Sequence, residues 1–97
     1  MRPLEHIDLT DAARAVLAHP APARAALCAR LLDEADWADR YTRRIGKAHP
    51  YWGDGSLSSA ARKRPRAPEP RLNAAAYCTC LEMVLRAVLR RKIRANV

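Results

Sequence analysis

Proline placement constrains this chain more than any other feature. Pro20, Pro22, Pro50, Pro65, Pro68 and Pro70 leave two long proline-free stretches, 23–49 and 71–97, and a shorter one ahead of Pro20. Proline lacks an amide donor and its ring clashes with the preceding helical turn. Each one therefore marks a place where a helix starts, stops or cannot form. The stretches between are rich in strong helix formers. Twenty residues are alanine, fifteen are arginine, and there is no phenylalanine.

The expected elements follow from that partition. The first helix starts after Asp8, which caps it with Asp11 three residues on in the manner of a capping box. It carries Leu9, Ala12, Ala13, Val16 and Leu17 at helical spacing and stops at His19-Pro20. The second begins near Pro22, a good first-turn residue. Its stripe is Ala23, Leu27, Leu31, Ala35, Ala38 and Ile45, with Cys28 and Leu32 beside it, and Gly46 is a natural end. His49 to Leu57 reads as a loop. A short helix runs from Leu57 to about Lys63, capped by Ser56 or Asp54. The connector, about 64–72, is extended, basic and least suited to tight packing. Asn73 caps a last helix that runs to about Arg94, with Tyr77, Leu81, Val84, Leu85, Val88, Leu89 and Ile93 on its apolar side.

No segment alternates with period two for long enough to be a strand. The fold class is all-α: a compact bundle of three to four helices in one domain, 1–97, with two long antiparallel helices and a Pro-rich basic connector. The short first helix covers one open side. A core forms, but a small one. A large β-sandwich, a doubly wound α/β enzyme and a membrane-spanning protein are excluded. No apolar run approaches the roughly 20 residues that cross a bilayer. The N-terminus has no signal-peptide core, so the chain is read as cytoplasmic.

Charge is distributed unevenly. Residues 1–39 hold four basic and seven acidic side chains, a net −3, while residues 40–97 hold fourteen basic and three acidic ones, a net +11. Such a split points to a surface that meets a polyanion or an acidic partner. The candidate nucleic-acid-binding residues are Arg40, Arg43, Arg44, Lys47, Arg62, Lys63, Arg64 and Arg66, with Arg90, Arg91 and Arg94 as a second patch. Four charges on the extended run from Arg62 to Arg66 could follow a phosphate backbone. Antiparallel packing of the long helices would hold the two patches at opposite ends. Trp37, Tyr51 and Trp52 are candidate partner-binding residues. Tyr51 and Trp52 either stack on bases or plug the end of the core. Trp37 either packs under the middle segment or marks a partner surface.

Catalytic and metal signatures are missing. The chain has no P-loop, no dinucleotide fingerprint and no nucleophile–base–acid set at recognisable spacing. Gly53-Asp54-Gly55-Ser56 reads as a turn and helix cap. A catalytic reading would need a pocket gathering His49, Asp54 and Ser56. Cys78 and Cys80 with the distant Cys28 are poor zinc spacing, and the three are read as free thiols. The chain is expected to be non-enzymatic, with no cofactor and no metal.

Asp39-Arg40-Tyr41 with Arg43-Arg44, then Ala48-His49-Pro50, Trp52-Gly53-Asp54-Gly55-Ser56-Leu57 and Ala67-Pro68-Glu69-Pro70, resemble a family of short helical proteins of Rhodobacter-like alphaproteobacteria. The resemblance covers nearly the whole chain. Such proteins are associated with the regulators that switch on gene transfer agents, phage-like particles that package host DNA. The resemblance implies a small accessory regulator of transcription, acting on DNA or beside a larger transcription regulator. It carries over no catalytic residue. The expected partners are nucleic acid, DNA above all, or that larger regulator, with which the chain would dock as a protein–protein adaptor. A homodimer through the long helices is a further option.

Overall fold

The computed structural model describes residues 1–95. It is an all-α bundle: α1 (His6–Leu17), a 3-10 turn (Ala21–Ala23), α2 (Arg24–Ile45), α3 (Leu57–Ala61) and α4 (Ala75–Ala95). Among the described residues the only β contact is an isolated bridge between His49 and Gly53.

Helix α1 starts at His6, earlier than the sequence predicts. Glu5 is the N-cap, and Asp8 serves the box from its third position: its Oδ2 accepts the Glu5 amide at 2.8 Å. The acid expected as the cap is therefore its reciprocal partner. Nor does α1 cover an open side of the bundle. It is the central helix, with Asp8, Thr10, Asp11, Ala12, Ala13, Ala15 and Val16 all buried. Its alanines face Leu31, Leu32, Ala35, Leu57, Ala60, Ala61, Tyr77 and Val84 in one core. Small side chains here let three helices approach a fourth closely. Asp8 and Asp11 can be buried only because other segments bring them donors, as described below.

The direction of the long helices differs from expectation. The short link after α1 reverses the chain, and Arg24 at the start of α2 donates to the carbonyls of Leu17 and His19. α2 then runs back along α1. The next segment retraces α1. The Ser58 amide donates to Asp8, Arg62 to Asp11, and the Ala67 amide to the Arg14 carbonyl. α4 thus begins at the C-terminal end of α1 and returns in the same sense as α2. The cross-contacts keep that order: the Cys28 thiol faces the Met83 carbonyl, and Arg91 reaches Asp33 and Asp36 further along. The long helices are parallel in sense, not antiparallel, because the extended connector uses its length to carry the chain back to the starting end.

Two glycines make the return possible. Gly55 has φ +98°, and a Cβ there would lie 2.6 Å from the Asp39 Cα of α2. Gly53 has φ +86°, and a Cβ there would meet Ser59. Both need left-handed backbone and a missing side chain. Gly46 (φ +82°) ends α2 as the sequence predicts, and Ser56 caps α3 by accepting the Ser59 amide. Asn73 does not cap α4; it lies in the turn before Ala74, and the helix starts at Ala75.

Candidate nucleic-acid interface

The parallel sense of α2 and α4 changes where the basic residues lie. Both helices end at the same end of the bundle. Arg40, Arg43, Arg44 and Lys47 at the end of α2 therefore share that end with Arg90, Lys92 and Arg94 of α4. One groove there takes Arg43 from α2 and Arg91 and Lys92 from α4. Arg44, Lys47, Arg90, Lys92 and Arg94 are exposed, and no ion pair holds them among the described residues. Arg43 pairs with Asp39 at 3.1 Å, and among the described residues Arg40 makes only a long bond, 3.5 Å, to the Asp36 carbonyl. Lys92, outside the sequence-predicted set, also belongs to this end.

The connector arginines are placed differently. Asp11 is 1% exposed. Its carboxylate accepts the Ser58 hydroxyl, Arg62 Nε at 2.9 Å and Arg66 Nη1 at 2.8 Å. Glu34, 2% exposed, takes a two-pronged contact from Arg64 at 2.7 and 2.5 Å and a third bond from Arg30 at 2.8 Å. Burial alone would raise the pKa of both acids, but these donors outweigh it and hold each below its ordinary value. Arg62, Arg64 and Arg66 thus neutralise buried carboxylates, and the connector expected to be loose is fastened to α1 and α2. Only Lys63 of that run stands exposed without an ion pair among the described residues. Arg91, counted in the second patch, is also committed. It bonds Asp33 at 2.6 Å and Asp36 at 2.8 Å and ties α4 to α2.

An aromatic column stands beside the basic end. His49 stacks on Trp52 at 4.5 Å, Trp52 meets Trp37 at 5.2 Å, and Arg30 lies over the Trp37 ring at 5.2 Å. Tyr41 meets His49 edge-on. Trp37 accordingly packs against the middle segment and remains 37% exposed, while Tyr51 is 73% exposed. Trp37, Arg40, Tyr41, Arg43, Arg44 and Ile45 line an open groove on this side. Tyr41 and Ile45 are additions to the sequence-predicted set. Their signal was the spacing of Trp37, Tyr41, Arg44 and Ile45, which puts them on neighbouring turns of one face.

The trio His49, Asp54 and Ser56 does not converge on one reacting centre. His49 Nδ1 accepts the amides of Tyr51 and Trp52 and closes its own turn. Asp54 accepts the Ser59 hydroxyl and the Ser56 amide, which with Arg2 hold its pKa down to about 2. The three cysteines are free. Among the described residues no group of three His, Cys, Asp or Glu side chains is arranged for a metal ion, and no helix is long and apolar enough to cross a membrane.

Residues 2–88 match the family described as a domain of unknown function, DUF7742. No curated protein and no solved structure matches the chain.

Proposed function

The chain belongs to the DUF7742 family, and we propose that it is a small non-enzymatic accessory regulator that grips a nucleic-acid backbone with its basic end. The observation that carries this reading is the common end of α2 and α4. It gathers Arg40, Arg44, Lys47, Arg90 and Arg94 while the connector arginines stay with buried acids. Contact is to phosphate, so affinity depends on salt and little on sequence. The resemblance to gene-transfer-agent-associated proteins supports, as the target, DNA at which a transcription regulator acts.

The test is fluorescence anisotropy with a labelled DNA duplex at two salt concentrations. With about four phosphates neutralised, affinity should fall about 100-fold between 50 and 200 mM salt. Replacing Arg40, Arg44, Lys47 and Arg94 together by alanine should remove most of the binding and flatten the salt slope. No binding at low salt, or binding indifferent to salt or to that variant, overturns the proposal.

A second reading is favoured by the exposed Trp37, Ile45 and Tyr51 beside the same groove. Here the aromatic face docks on a larger transcription regulator without touching DNA. The Trp37→Ala and Tyr51→Ala variants would then lose the regulator in nuclease-treated extracts, and the four-site variant would not.

A further inference from the structure

Helix α4 buries Tyr77, Cys80, Val84 and Val88 in the core, yet leaves Leu85, Leu89 and Ile93 exposed at 48%, 58% and 55%. These three recur every four residues, so they form a stripe beside the buried face. Among the described residues nothing covers it. Two charges flank its Leu85–Leu89 pair, with Ile93 beyond them: Glu82 lies three residues before Leu85, and Lys92 three after Leu89. Positions 82, 85, 89 and 92 have the alternating 3,4 spacing of a coiled-coil seam. Read backwards, the pattern is the same with its charges exchanged.

That inverted symmetry names the occupant. We propose that this face pairs with the same face of a second copy of the chain, the two α4 helices antiparallel about Ala87. Leu85 then lies beside the partner's Leu89, and Glu82 beside the partner's Lys92, twice over by symmetry. A parallel pairing would set glutamate against glutamate and lysine against lysine. Glu82 contacts Arg86 of its own chain at 3.3 Å, but both side chains are largely exposed, so Glu82 is free to turn to the partner. Three half-exposed aliphatic side chains per copy put the contact at the small end of specific interfaces. The dimer is therefore weak, with a dissociation constant on the order of 10–100 μM.

Sedimentation equilibrium from about 5 to about 500 μM brackets that constant. The average mass should rise from monomer toward dimer across the range. The Leu85→Asp/Leu89→Asp variant should remain monomeric, with circular dichroism reporting an unchanged helix content. Lys92→Glu, an exposed position that does not threaten folding, should weaken the dimer at least about tenfold, roughly 1.4 kcal/mol. Glu82→Lys/Lys92→Glu should restore it. A wild-type chain monomeric throughout, or a dimer that survives Leu85→Asp/Leu89→Asp, overturns the proposal. So does a double charge exchange no better than Lys92→Glu alone, because the antiparallel register requires the rescue. Binding of a different protein by a chain that stays monomeric also counts against it.

Discussion

Removing the Arg64 side chain separates a structural arginine from a surface one. Glu34 is 2% exposed and holds two oxygens against the Arg64 guanidinium, while Arg30 supplies one bond. The Arg64→Ala substitution leaves a buried carboxylate with a single cationic partner, and that partner's side chain is 53% exposed. Breaking a buried pair by removing one member costs about 3–5 kcal/mol. The remaining Arg30 bond reduces this to about 2–3 kcal/mol. For a chain of this length the entropy of unfolding makes that a fall in Tm of roughly 10–15 °C. Urea unfolding followed by circular dichroism at neutral pH measures the loss directly. Adding Glu34→Gln removes the stranded charge and should recover about 1 kcal/mol or more. Losing the Arg64 bonds and charge moves the Glu34 carboxyl up from its lowered folded value, so the deficit should shrink as pH falls through the glutamate range. DNA affinity should be unchanged at temperatures where the variant is folded. A loss below about 0.5 kcal/mol, the usual worth of an exposed pair, would refute the reasoning, as would a loss of DNA binding in the folded variant.

Four further outcomes follow from the same structure. Gly55→Ala forces a Cβ to 2.6 Å from the Asp39 backbone at φ +98° and should cost about 3 kcal/mol or more, whereas Gly46→Ala, with open space at φ +82°, should cost only about 1 kcal/mol in the same urea assay. Asp11 and Glu34 titrate below 3.8 and 4.5 when folded, so the unfolded chain binds more protons around and below those values; stability is full above them and is lost as pH falls through the folded values, and Tm against pH should flatten in Asp11→Asn/Glu34→Gln. Among the described residues the buried Tyr77 hydroxyl has no hydrogen-bond partner, so Tyr77→Phe should raise thermal stability by up to about 1 kcal/mol. Burial pushes the Cys28 thiol up to about 11 and raises Cys80 as well, while Cys78 is exposed. A thiol reagent should therefore modify one cysteine in the native protein and three in denaturant.

Local signals were readable wherever the chemistry is local. Gly46, Ser56 and the proline bounds act through neighbouring backbone, so α2, α3 and the turn before α2 lie close to where the sequence places them. Asp8 was readable as part of a cap, but its register was not: Glu5 and Asp8 can both accept amides, and packing against Ser58 chooses between them. The run Arg62–Arg66 looked like a solvated phosphate grip because its partners, Asp11 and Glu34, are remote in sequence. A hint was present, since Asp11 lies among alanines on a helix, and an acid buried there requires cations from elsewhere.

By itself the sequence determined that this chain is helical, where its long helices start and stop, and that its basic charge lies after Asp39. Those are consequences of proline, alanine and local capping, which act within a few residues. Only the tertiary structure decided which arginines remain available to a polyanion. Charge cannot be assigned from sequence when burial selects its partners: Arg62, Arg64 and Arg66 were drawn to carboxylates inside the bundle. The same return path of the connector set α4 parallel to α2 and brought two separate basic helix ends to one end of the molecule.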